Sequence, residues 1–139
     1  MAASSLIPTI NQPHPVLDES GALGFCLADY IYFDQRKLSV AVSPVDEVNL
    51  GITIPDAGFK PDAAYDLTIT LSNDNPRKIR GRALTPRTLI LQFGQDEDFI
   101  KHLTSAHALT VTGGKTQMQF ALPQIKQLFS ALQLCNKPY

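Results

Sequence analysis

The sequence predicts a mainly β domain: an antiparallel β-sandwich or half-open barrel of seven to nine strands, with a short helix and a C-terminal helix packed on it. Three observations lead there. Short runs that alternate apolar and polar residues recur along the chain, the period of half-buried strands. Clusters of Pro, Gly, Asn and Asp separate the runs at hairpin distances. A sustained apolar stripe at helical spacing appears only near the end. With 139 residues, 44% hydrophobic and 18% charged, the chain has enough apolar material for one core and too little length for two domains.

Residues 1–20 hold Pro8, Pro13 and Pro15 and read as an extended, poorly hydrogen-bonded N-terminal arm, either a tail or a segment docked late on the domain, leaving 21–139 as a single β-rich domain. A strand over 22–33 ends in Tyr30-Ile31-Tyr32-Phe33, rings suited to core and cross-strand packing. The polar turn Asp34-Gln35-Arg36-Lys37 leads into Leu38-Ser39-Val40-Ala41-Val42, which completes a hairpin. Val48 to Ile54 places Val48, Leu50, Ile52 and Ile54 on one face, and Pro55 stops it. Tyr65 to Leu71 repeats the alternation, with Asp66, Thr68 and Thr70 as a polar outward face.

The turn formers 72–76 lead to a second hairpin, 78–84 and 88–93, across Thr85-Pro86. Residues 95–103 predict a short helix: Asp96, Glu97 and Asp98 complement its N-terminal dipole, and Phe99, Ile100 and Leu103 share a face. Strands 107–112 and 116–120 flank Gly113-Gly114, read as a two-residue hairpin connection. In the final helix Pro123 opens the first turn, and Ile125, Leu128, Phe129 and Leu132 form one stripe that lies on the sheet.

The formal net charge of −1 conceals a division. Residues 1–74 sum to −7 and residues 75–139 to +6, with no acid after Asp98. Within 77–87 stand Arg77, Lys78, Arg80, Arg82 and Arg87 and no acid. In an extended segment Lys78, Arg80 and Arg82 project to one face, where arginine forks bind carboxylates or other anions. The alternative is a solvated edge strand whose charges discourage sheet-to-sheet pairing. Interleaved aromatics, needed to stack bases, are lacking, so nucleic acid is not an expected partner.

Cys26 and Cys135 bracket the domain. In an oxidising compartment they would close a loop of about 110 residues and stabilise the fold by ~4–5 kcal/mol; the alternative is two buried free thiols. The polar N-terminus has no apolar core of a signal peptide and reads as the stretch just after a cleavage site, hence a periplasmic or secreted protein; a cytosolic protein with an extended arm is the alternative. No apolar run is long enough for a membrane-spanning helix.

His14, His102 and His107 are scattered, and no nucleophile motif, metal-ligand spacing or phosphate loop accompanies them, so no catalytic residue, metal or cofactor is assigned. Segments "VNLGITIP", "AYDLTITLSND", "DEDFIKHLTSAHALTVTG" and "QFALPQIKQLFSALQL", over roughly residues 48–134, resemble the invasion-associated locus B family of bacterial periplasmic proteins. That resemblance implies an envelope protein without catalytic residues. The leading expectation is therefore a non-catalytic envelope protein acting through protein contacts, as an accessory of a secretion or surface assembly, through the basic strand or the Pro-rich arm. Self-association through an edge strand belongs to the same reading. The alternatives are a small-ligand or enzyme-inhibitor module in which a loop or sandwich mouth takes the ligand, and an enzyme whose chemistry the sequence does not spell out.

Overall fold

A computed structural model describes residues 8–137. The strands are β1 (Thr9–Leu17), β2 (Leu23–Ile31), β3 (Lys37–Val42), β4 (Val48–Thr53), β5 (Ala64–Leu71), β6 (Arg77–Thr85), β7 (Thr88–Gly94), β8 (Ala108–Gly113) and β9 (Thr116–Ala121). Helix α1 (Glu97–Leu103) joins β7 to β8, and α2 (Ile125–Cys135) follows β9. All nine strands form one antiparallel sheet, ordered β1-β2-β3-β4-β7-β6-β5-β8-β9, that curls into a half-barrel.

The alternation seen in the sequence sets the two faces of this sheet. Leu38, Val40 and Val42 on β3, and Val48, Leu50 and Ile52 on β4, point inward and are buried, as are Leu67, Ile69 and Leu71 on β5. The meander β1–β4 is extended by β7, because the chain leaves β4 through a long loop and returns by way of β5 and β6. Helix α1 then carries the chain past one end of the sheet to β8, which pairs with the free side of β5.

Asp96 caps α1 by accepting from the Phe99 amide at 3.0 Å, and Phe99 and Leu103 are buried beneath it. Helix α2 presents Ile125, Leu128, Phe129 and Leu132 to the concave side of β1–β3. Its start differs from expectation. Pro123 lies outside the helix, and Gln124 turns the chain with φ 57° and no side-chain cap. Apolar burial, rather than capping, holds this helix.

The far end of α2 is fixed twice. Cys26 and Cys135 are joined in a disulfide with Cα atoms 6.2 Å apart, which sets aside two separate thiols. Buried Asn136 donates from Nδ2 to the Val42 carbonyl at 2.7 Å and to the Leu132 carbonyl at 3.1 Å.

The curled sheet is closed by side chains. The Tyr32 hydroxyl donates to the Ala121 carbonyl on β9 at 2.6 Å, the Tyr30 hydroxyl to the Pro123 carbonyl at 2.8 Å, and Arg36 to the Gln119 carbonyl at 3.3 Å. Burial raises the pKa of both phenols far above the ordinary value, and in Tyr32 proximity to Tyr30 adds to it, so both remain donors. Phe33, grouped with these rings from the sequence, is instead 82% exposed at the hairpin tip.

Two further expectations are revised. Thr9–Leu17 of the Pro-containing segment is hydrogen-bonded to β2 as an edge strand, and Gln12-Pro13 are accommodated by a bulge between Asn11 and His14. The rest of that segment's start, residues 1–7, lies outside the described residues. The β8–β9 turn is Gly114-Lys115, since Gly113 pairs with Thr116.

Candidate functional site

Helix α2 packs on β1–β3 and α1 joins β7 to β8, and one mouth of the half-barrel is lined by neither helix. There the end of β4, the start of β7, the start of β5 and the β8–β9 hairpin converge around a cavity of about 410 Å³. Its floor is Ile52, Leu67, Leu89 and Val111, all buried. Its rim is Ile54, Phe59, Tyr65 and Met118, large apolar side chains only partly covered.

Local chemistry explains why the mouth stays open. Leu67 stands between two glycines on the flanking strands: a Cβ on Gly81 would lie 3.2 Å from its Cδ1, and one on Gly113 2.8 Å from its Cδ2. The side chain thus spreads into space that any other residue would fill, and does not bend into the mouth. The long β4–β5 loop is tied back at several points. Ile54 and Phe59 donate their amides to the carbonyls of Arg87 and Pro86 at 2.8 and 2.7 Å, and the Lys60 amide donates to the Tyr65 hydroxyl at 2.9 Å. Phe59 and Tyr65 then pack with ring centroids 5.2 Å apart, forming one lip. A preformed, mostly apolar concavity with few polar atoms is the usual form of a small-molecule site.

The basic residues are placed differently from one another. β6 lies between β5 and β7 in the sheet and so is not an edge strand; Arg77–Arg82 pair with β5, while the pairing with β7 begins at Arg82. Arg77 is withdrawn into an internal network: its guanidinium bonds Asp74 at 3.0 Å, reaches Asp96 at 3.4 Å, contacts Asp98 and lies over the Phe99 ring. Arg80 pairs with Asp66 across the β5–β6 ladder at 3.2 Å, both side chains more than 70% exposed. Lys78 and Arg82 project from the outer face of β6, and Arg87 sits in the β6–β7 turn; none has a carboxylate within 4.0 Å among the described residues.

His102 joins the Arg77 network. Its Nδ1 is bonded to the Asp98 carbonyl at 2.8 Å and is 3.6–3.7 Å from carboxylate oxygens of Asp98 and Asp74. The Asn75 amide, helped by Arg77 and His102, holds the Asp74 carboxyl below the usual range and outweighs the opposing effect of desolvation. Asp74, Asp98 and His102 offer three oxygen or nitrogen atoms within 4.8 Å of one another, but Arg77 already sits against both carboxylates. No hydroxyl or thiol bonds to the ring of His102 or His107 among the described residues; the contacts of Arg77 with Asp96 and Asp98 tie the start of β6 to α1.

The mouth was not legible as a site. Leu67, Val111 and Met118 follow the same alternation as every core position. The one signal was the pair Gly81 and Gly113, each interrupting a strand of larger residues. In comparisons with known proteins, the chain matches no family model, no curated protein and no solved structure.

Proposed function

We propose that this chain is a non-catalytic binding protein of an oxidising, extracytoplasmic compartment, and that the open mouth of the half-barrel takes a small, largely apolar ligand. The observation that carries the reading is the cavity of about 410 Å³ ringed by partly covered Ile54, Phe59, Tyr65 and Met118. The Cys26–Cys135 bond supports the compartment, and the resemblance to the periplasmic family points the same way.

Methionine provides the test, because the chain has only Met1 and Met118. With ¹³C-methyl methionine labelling, a neutral apolar probe such as N-phenyl-1-naphthylamine should shift the Met118 signal in a saturable way. A Gly113→Val variant should weaken that binding about tenfold by forcing Leu67 into the mouth. An unmoved Met118 signal at probe saturation overturns the reading, as does unchanged affinity in a folded Gly113→Val protein.

A second reading, an acidic protein partner on the outer face, is favoured by the free guanidinium groups of Arg82 and Arg87. Capture of a partner from the native compartment should fail with Arg82→Glu and Arg87→Glu. Equal capture by the variants removes it.

A further inference from the structure

Beside the mouth, on the outer side of its rim, lies a second and more polar concavity of about 530 Å³, lined by Thr68, Lys78, Arg80 and Thr112. The two hollows share Asp66, Leu67 and Gly114, so they meet across the end of β5 and the β8–β9 turn. One is built of inward-facing apolar side chains, and the other carries cations. A molecule that spans both must therefore be apolar at one end and anionic at the other.

We propose that the mouth binds a single-chain amphiphile with a carboxylate headgroup, its alkyl chain against Leu67, Val111 and Met118 and its carboxylate over the rim between Lys78 and Arg80. This rests on the mouth's being a ligand site, as proposed above.

The charges at the rim favour an anion over a cation. Lys78 has no carboxylate within 4.0 Å among the described residues. Arg80 is engaged by Asp66 through one contact of 3.2 Å between side chains that are 71% and 86% exposed. Such a pair is worth only about 0–1 kcal/mol, so exchanging Asp66 for a ligand carboxylate costs little. Lys115 follows Gly114 in the adjoining turn and adds to the same sign. The acids of the opposite lip, Asp56 and Asp62, lie on the β4–β5 loop and line neither hollow, and Lys60 stands between them in the sequence. Hydroxyls of Thr68 and Thr112 supply neutral donors next to the cations. Gly114, with φ 58° and open space where a Cβ would be, keeps the turn low at the point where the chain crosses.

The test titrates the full chain with decanoate, 1-decanol and decyltrimethylammonium, following the Met118 methyl signal. Decanoate should bind at least tenfold more tightly than decanol, and decyltrimethylammonium more weakly than either. In a Lys78→Gln/Arg80→Gln variant, which alters only exposed side chains, decanoate should fall to the affinity of decanol while decanol itself is unchanged. Equal binding of decanoate and decanol by the native chain overturns the headgroup assignment and leaves the mouth reading intact. Preference for the cationic probe overturns it as well. If none of the three moves Met118, the mouth reading itself fails.

Discussion

Reducing the Cys26–Cys135 bond tests the energetics of this fold most directly, because the bond joins residues 109 apart and spans almost the whole described domain. Opening a loop of that length restores denatured-state freedom worth about 5 kcal/mol at 25 °C in the chain-entropy treatment. Domains of this size have net stabilities of about 5–15 kcal/mol, so the loss is a large share without being certain to unfold the chain. The folded state keeps other holds on α2: Leu128, Phe129 and Leu132 stay buried, and Asn136 still donates to the Val42 carbonyl. The reduced protein should therefore retain its β-sheet circular dichroism at 25 °C and unfold earlier. An unfolding entropy of about 0.3 kcal/mol/K for this length converts the loss into a fall in Tm of about 15 °C. Urea unfolding of oxidised protein, reduced protein and the Cys26→Ala/Cys135→Ala variant should give nearly the same loss for the last two. A loss of under about 1 kcal/mol would show that the denatured chain keeps its ends together unaided, and the reasoning from loop length would be wrong.

The seam, the charge cluster and the glycines each carry a further expected outcome. Tyr32→Phe strips the half-buried Ala121 carbonyl of this donor and should cost about 0.5–1.5 kcal/mol in urea unfolding. Because Tyr30 and Tyr32 have raised pKa values in the folded chain, the unfolded chain loses those protons first; stability should be intact below about pH 10 and fall as pH rises beyond it. Absorbance at alkaline pH should show those two phenols ionising only with unfolding. Asp74 has the opposite sign: its carboxyl is lowered, so its contribution is present above about pH 4 and is lost as pH falls through the folded value. Asp74→Asn should flatten the acid limb of the stability profile. Gly81→Ala places a Cβ 2.8 Å from Leu91 Cδ2 and should destabilise by about 1–3 kcal/mol by calorimetry, chiefly through overpacking.

Local pattern was enough for the elements from β2 onward, missed β1, whose prolines masked a strand, and was insufficient for their neighbours. Val48–Thr53 and Ala64–Leu71 are strands with one face buried because their alternation leaves no other economical packing, and a slip of one residue would expose every large side chain. The last helix is equally set by Ile125, Leu128, Phe129 and Leu132. Adjacency is another matter. β4 pairs with β7 and β5 with β8 only after the chain has gone elsewhere and returned, and no residue in those strands names its partner. For the same reason the five basic residues of 77–87 read equally well as an edge strand or as the outer face of a central one. A row of exposed cations looks identical in both, and only the sheet order separates them.

The site depends on that non-local order. Leu67, Val111 and Met118 belong to three strands and behave locally as ordinary core residues; they become a mouth because α2 packs on β1–β3 and neither helix of the described chain lines this part of the sheet. Cohesion and opening are linked through the sheet's curvature. Tyr30, Tyr32 and Arg36 draw β9 toward the β2–β3 hairpin, which curls the sheet enough to enclose a cavity, while Gly81 and Gly113 accept Leu67 so that the floor does not collapse into it. The seam tyrosines are therefore positioning residues for the mouth although they touch none of its lining, and Tyr32→Phe should weaken ligand binding as well as stability. A protein in which the seam serves stability alone would lose stability in that variant and keep the affinity of its folded fraction.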